Sequence, residues 1–270
     1  MCRLYGFRAS QPTQPSCDLL NAQNALIDQS REDARGLSNP DGWGMGLMSD
    51  GEPVCHRQVT PASKSKLFRA RALKVRGTTV LAHVRRATIG TPAEANTHPF
   101  RDGDDFLIHN GHIEAFESIR PWLLGELNED QEDTIQGSTD SEHFFQLARA
   151  KQQAHPDASM LDAVRRACRQ VAAWSEAVDP EAEVALNTLW SDGNRLVGSR
   201  LGRSLWMVER DEPFVCGACP TEHVSVPAED YRTVVFASER ITDEDWVRVP
   251  SESAFMVTGD LEVTVEPLGL

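Results

Sequence analysis

Two rhythms of apolar and polar positions divide the chain. Residues 2–7 read as a short strand, and after a polar Ser/Gln/Pro loop Leu19, Leu20, Ala22, Ala25 and Leu26 recur at helical spacing, which predicts one helix over 18–29. A loop ending in Asn39-Pro40-Asp41-Gly42 closes that unit. Residues 43–48 predict a strand carrying Gly44 and Gly46, a place where a second backbone or a ligand can come close, and 54–59 can pair with it. Strands are expected at 78–84 and 105–109, flanking the loop 88–103 and forming the centre of a sheet.

Helical periodicity then takes over at 114–124, 140–151 and 160–173, the second of these opening on the capping-box pattern Thr139-Asp140-Ser141-Glu142. Short alternating segments return at 184–190, 195–199, 204–208, 233–237, 254–257 and 262–265, separated by Gly, Asp or Pro. This order predicts an α+β protein with largely antiparallel sheets. Nothing at 153–159 resembles a flexible linker, so a single domain over 2–270 is expected.

Composition narrows the function classes. With 40% hydrophobic and 25% charged residues the chain can bury a sizeable core. The 27 Lys and Arg against 41 Asp and Glu leave a net charge of -14, which disfavours a nucleic-acid partner and an anionic membrane. No apolar window is long enough to span a bilayer and no signal-peptide pattern precedes Cys2, so a soluble, cytoplasmic protein is expected. Cysteines at 2, 17, 55, 168, 216 and 219 show no disulfide framework. The pair Cys216-Gly217-Ala218-Cys219 has no second pair beside it, and Asp102-Gly103-Asp104-Asp105 lacks the spacing of a calcium loop, so neither metal nor cofactor is expected.

The chemistry begins at Cys2. Removal of Met1 would leave a thiol beside its own α-amine, whose unperturbed pKa of roughly 7.7 to 8.0 suits a base, so nucleophile and base would be one residue. A plain buried cysteine at a strand start is the blander reading. Arg85 lies where a strand gives way to a loop, with Thr88 three residues on; together they can grip a carboxylate, although most arginines simply pair with surface acids. Asn110 and Gly111 offer a side-chain amide and a backbone N–H that can converge on an oxyanion, and the same dipeptide is a common tight turn. Asp140, in the first turn of a helix, suits that position electrostatically and could also hold a substrate ammonium.

Taken in order, Cys2, Arg85-x-Ala87-Thr88-x-Gly90, Asn96-x-His98-Pro99, His109-Asn110-Gly111 and Ser138-Thr139-Asp140-Ser141-Glu142 resemble the class II glutamine amidotransferases. The resemblance implies the four-layer αββα N-terminal-nucleophile hydrolase fold, with two stacked antiparallel sheets. It implies Cys2 as nucleophile, Asn110 and Gly111 at the oxyanion hole, and Arg85, Thr88 and Asp140 on the glutamyl backbone, with His98 and His109 beside the site. Two positions depart from the family pattern: Arg86 where many members carry Trp and Ile89 where many carry His, on the side facing the leaving group. The stretch Asn39-Pro40-Asp41-Gly42-Trp43-Gly44 resembles the short stand-alone branch, which includes γ-glutamyl hydrolases of the ergothioneine and glutathione-degradation type, and Trp43 is the tryptophan expected to touch substrate. The 270 residues leave no room for a synthase domain. The expected activity is cysteine-dependent hydrolysis of a γ-glutamyl amide in a small molecule. The alternatives are a glutaminase subunit feeding a separate ammonia-accepting enzyme, and a non-catalytic γ-glutamyl or amino-acid sensor.

Overall fold

A computed structural model describes residues 2–49, 51–212 and 230–270. Cys216 and Cys219 lie outside the described residues. The first strand, β1 (Arg3–Thr13), is followed by a π-helix at Cys17–Asn21, α1 (Leu26–Arg31), β2 (Trp43–Ser49), β3 (Glu52–Gln58), α2 (Lys66–Ala72) and β4 (Gly77–Val84). The middle of the chain forms β5 (Phe100–Asp102), β6 (Asp105–Ile113), α3 (Phe116–Leu124), α4 (Glu129–Thr134), α5 (Asp140–Ala154) and α6 (Met160–Val178). The last third supplies β7 (Val184–Ser191), β8 (Leu196–Arg200), β9 (Trp206–Arg210), β10 (Thr233–Ala237), β11 (Val247–Arg248), β12 (Ser253–Val257) and β13 (Val263–Pro267).

The strands form two antiparallel sheets, one in the order β11-β9-β10-β1-β4-β2-β3 and the other β13-β12-β8-β7-β6-β5. Alternation along each strand sorts the side chains into layers. On one face of the first sheet Tyr5, Phe7, Val80, Ala82 and Val235 pack with Leu26 and Phe68 from α1 and α2. Its other face supplies Leu4, Leu81, Val234 and Phe236, which meet Phe106, Ile108, Leu189 and Phe255 of the second sheet, Phe236 and Phe255 stacking at 4.3 Å. Beyond the second sheet Leu107, Leu186 and Trp190 pack on Phe116, Phe144, Phe145 and Val164 of α3, α5 and α6. Helices, sheet, sheet, helices: the predicted four-layer α+β arrangement is the one observed.

Three expectations and one alternative reading require correction. The helix predicted over 18–29 is broken: Ala22 and Ala25 are extended, the Asn24 amide N–H donates to the Ile241 carbonyl, and its side chain donates to Glu239 and the Arg240 carbonyl. Those long-range bonds outweigh helical continuity. The strands expected at one sheet centre belong to different sheets, β4 lying between β1 and β2 and β6 between β5 and β7. Asn110 and Gly111 lie inside β6, opposite Asn187 and Leu186 of β7, so no turn forms there. Trp43 is fully buried against Phe68, its indole N–H donating to Gln58, and belongs to the core rather than to a substrate pocket.

The glycines of β2 do admit a second backbone. A Cβ at Gly44 would sit 2.1 Å from the His98 carbonyl oxygen, and one at Gly46 would sit 3.1 Å from Pro99 and 2.9 Å from Phe106. The segment that carries His98 is thereby laid against the sheet.

Candidate active site

Register brings the N-terminus to its partners. β1 and β4 pair as Arg3 with Val84 and Leu4 with His83, so the residues continuing the two strands, Cys2 and Arg85, lie side by side. The backbone N–H of Arg86 donates to the Cys2 sulfur at 3.3 Å. β2 continues the same lattice on the other side, where Arg85 N–H donates to the Gly42 carbonyl and Asp41 N–H to the Arg85 carbonyl, while the Asp41 carboxylate accepts from Ala87 N–H at 2.8 Å. The 39–44 stretch thus acts as a brace for the loop after β4. Arg3 anchors the start of β1 through Asp33 at 2.9 Å and Glu239 at 2.5 Å, and also donates to the Cys2 carbonyl.

A small cavity is lined by Cys2, Arg85, Thr88, His98, Gly111 and Asp140, among others. Six of the seven predicted site residues therefore meet at one place. The seventh, Asn110, lines an adjoining cleft that shares Arg86 and Thr88 with the small cavity. Cys2 is buried, and desolvation pushes its thiol above the ordinary value, with the Arg86 amide and the Arg85 charge pulling it partly back. The thiol is therefore the resting form, and a base is needed to remove its proton.

Arg85 is 2% exposed. Its Nη2 donates to the carbonyls of Ile89 and Gly90, which curls the loop around the guanidinium, and its Nη1 is buried without a partner among the described residues. Burial lowers its pKa from the usual value, countered by Cys2, Asp41 and Asp140. An unsatisfied guanidinium donor at a cavity wall is a site for an anion.

Asp140 opens α5, where Thr139 caps the helix by accepting from Glu142 N–H. Its carboxylate accepts from Ile113 N–H and Ser141 N–H at 2.9 and 2.8 Å. Two oxygens with about four lone pairs keep room for a further donor. Asn96, part of a motif but assigned no task from sequence, joins the two loops: its side chain donates to the Thr91 carbonyl and the Ser138 hydroxyl and accepts from Ser138 N–H.

Three buried histidines underlie the cavity. The His83 ring lies 4.0 Å from that of His98 and its Nε2 meets the His109 carbonyl, and burial takes its pKa down to about 3. His109 Nε2 meets the Ala185 carbonyl, which can only accept, so Nε2 carries the proton and Nδ1 accepts from Ser141 at 2.8 Å. His98 has no partner on either nitrogen among the described residues, and burial holds its pKa well below the ordinary value. All three are neutral at pH 7, so none is a resident charge beside Cys2.

The Asn110 amide is bonded to Ser238 Oγ at 2.9 Å through Nδ2, which leaves Oδ1 buried and unpartnered among the described residues. Ser238 Oγ already accepts from Leu4 N–H and has one proton to give. Turning the amide by 180° directs that proton to Oδ1 and presents Nδ2 as a free donor, with the same heavy-atom positions. Gly111 is forced by packing: a Cβ there would lie 1.9 Å from the Ala185 carbonyl oxygen.

The architecture and this cavity define an amidohydrolase of the N-terminal-nucleophile type. The family profile described as "Glutamine amidotransferases class-II" matches residues 1–267, and the chain belongs to that family. It is 30% identical to the "Probable glutamine amidotransferase DUG3" of Saccharomyces cerevisiae, covering 95% of this chain and 82% of that protein. It is 31% identical to a γ-glutamyl-hercynylcysteine sulfoxide hydrolase of Mycobacterium tuberculosis, covering 82% of this chain and 85% of that one. Among solved structures, a glutamine aminotransferase class-II domain protein from Silicibacter pomeroyi superimposes with a TM-score of 0.66 at 21% identity over 98% of this chain and 99% of that chain. The glutamine phosphoribosylpyrophosphate amidotransferase of Bacillus subtilis gives the same TM-score at 14% identity, with this chain matching 50% of its length. No helix among the described residues is long and apolar enough to cross a membrane.

Proposed function

We propose that Cys2, with Met1 removed, hydrolyses the γ-glutamyl amide bond of a small molecule. The thiol gives its proton to the Cys2 α-amine and the sulfur attacks the γ-carbon, forming a C–S bond and an oxyanion. Asn110 and Gly111 donate to that oxyanion, Asn110 in the orientation that frees Nδ2. Collapse breaks the C–N bond, and the leaving amine takes a proton from the α-ammonium. Water then attacks the thioester, forming a C–O bond and breaking the C–S bond, which releases glutamate and restores the thiol.

In this reading Arg85 and Thr88 hold the α-carboxylate, Asp140 holds the α-ammonium, and neutral His98 forms part of the wall of the glutamyl pocket. The observation that carries it is Arg85 itself, adjacent to Cys2 with Nη1 buried and unpartnered. The Mycobacterium tuberculosis relative, named as a γ-glutamyl hydrolase, supports hydrolysis over transfer. A glutamine-derived diazoketone should add one equivalent to Cys2 by mass spectrometry, and glutamate release should vanish in Cys2→Ala. Full hydrolytic activity in Cys2→Ala overturns the reading.

A further inference from the structure

The proposed oxyanion donor and the proposed nucleophile come from different sheets. Asn110 lies on β6 of the second sheet, whereas Cys2 precedes β1 of the first. A side-chain contact joins the two sheets here: the Asn110 amide and Ser238 Oγ lie 2.9 Å apart, across 128 positions of sequence. Ser238 directly follows β10, and the register that pairs Tyr5 with Ala237 sets it opposite Leu4, close in sequence to Cys2. There its backbone N–H donates to the Leu4 carbonyl, its Oγ accepts from the Leu4 N–H, and its carbonyl accepts from Ser204 Oγ at 2.9 Å. These bonds fix Ser238 independently of Asn110.

The Asn110 side chain has no such support of its own. Among the described residues its amide meets no polar group but Ser238. Asn187, directly across β6 and β7, is already committed, its Nδ2 donating to the Ser204 carbonyl and its Oδ1 accepting from Leu201 and Arg203 N–H. The Ser238 proton likewise has no acceptor but Asn110 among the described residues. Both side chains are buried, where an unmade hydrogen bond is costly. With Nδ2 toward Ser238, the serine proton and Oδ1 both go unpaired. With Oδ1 toward Ser238 that bond is made, and only Nδ2, the group an oxyanion needs, stays open.

We propose that Ser238 is a positioning residue for the reaction: its hydroxyl donates to Asn110 Oδ1, turns Nδ2 toward the oxyanion and ties that donor to the strand that follows Cys2. This rests on the reading of Asn110 as an oxyanion donor given above and deepens it. Ser238 lines neither the small cavity nor the adjoining cleft, so it acts through Asn110.

The test is a double-mutant cycle on hydrolysis of γ-glutamyl-p-nitroanilide, with kcat counted per Cys2 labelled at completion by the diazoketone, so that inactive protein does not imitate the result. Ser238→Ala should lower kcat about 10-fold or more with KM nearly unchanged, because an oxyanion donor acts in the transition state. In an Asn110→Ala background the same substitution should cost less than about twofold further. Ser238→Cys, close in shape but a weaker donor, should lose less than Ser238→Ala. A structural role is separable, since Ser238→Ala also removes the acceptor of the Leu4 N–H: a loss by that route shifts the start of β1 and falls equally on both backgrounds. Unchanged kcat in Ser238→Ala, or an equal loss with and without the Asn110 amide, overturns this inference and leaves hydrolysis by Cys2 standing. Full kcat in Asn110→Ala removes the oxyanion role of Asn110 and this inference with it. No release of nitroaniline, with no diazoketone adduct on Cys2, overturns the hydrolase reading as well.

Discussion

The Arg86 backbone N–H donates to the Cys2 sulfur at 3.3 Å, across a sequence separation of 84 residues. That bond exists because β1 and β4 pair in one register, and it holds the thiol in the wall of the small cavity, next to Arg86, which lines both that cavity and the larger cleft. The same amide also lowers the cost of forming a thiolate there.

A retained or extended N-terminus should silence the enzyme while leaving its fold intact. A form blocked ahead of Cys2 should lose roughly a thousandfold or more of its rate with an unchanged Tm, because the base is the α-amine itself. In the processed enzyme kcat/KM should rise with pH on a single limb set by that amine, with an unperturbed midpoint of roughly 7.7 to 8.0. A pH–rate profile of mass-verified material checks both.

Arg85→Lys should weaken substrate binding by roughly 10- to 100-fold in kcat/KM, since an ammonium cannot bond the Ile89 and Gly90 carbonyls and a carboxylate in the same fork. The loss should fall mainly on KM. A purely structural arginine would instead lower the Tm without a selective effect on KM.

Asn96→Ala should also act on KM, although its side chain is bonded within the loops. Its bonds to Thr91 and Ser138 tie the Arg85 loop to the start of α5, which carries Asp140. Losing them leaves buried partners unsatisfied, at a cost of about 1 to 3 kcal/mol, and lets the two ends of the glutamyl site drift apart. Substrate titration and a melting curve separate the two effects.

Gly111→Ala should destabilise the protein by about 1 to 3 kcal/mol or more, because the new methyl collides with the Ala185 backbone where β6 meets β7. Denaturant unfolding reads this directly.

Acid should unfold the protein through its histidines. His83 titrates at about 3 in the folded state and at about 6.5 when unfolded, so its stabilising contribution is complete above pH 6.5 and is lost as pH falls toward 3. Buried His98 is shifted in the same direction. His83 adds up to about 1.4 kcal/mol per pH unit to the slope in that window. His83→Gln should flatten the stability–pH curve between pH 6 and pH 4, measured by urea titration at each pH.

Most element positions were legible in the sequence because they depend on local alternation. The strands now called β2, β4, β7 and β10 fall at their expected places to within a residue or two, and so does α3. The residues that line the cavity and the cleft beside it were legible as candidates too, since each sits in a short motif: Cys2 at the terminus, Arg85 with Thr88, Asn110 with Gly111, and Asp140 in a capping pattern. What no local pattern could give is the lattice joining them. Ala22 and Ala25 carry helical periodicity, yet bonds from Asn24 to 239–241 break the helix there, and Trp43 sits beside a site-like motif while its ring turns into the core. Arg203 and Glu183 belong to no motif and reach the cleft only when the two sheets close.

The sequence by itself determined which residues are candidates for the chemistry and which segments alternate, because both are properties of a few neighbouring positions. The tertiary structure alone decided that Cys2 lies against Arg85 and Arg86, that Asn110 sits within a strand, and that an arginine-lined cleft opens beside Cys2 in an acidic chain. Those outcomes follow from strand register and from burial between layers, which are fixed by contacts between residues far apart in the chain.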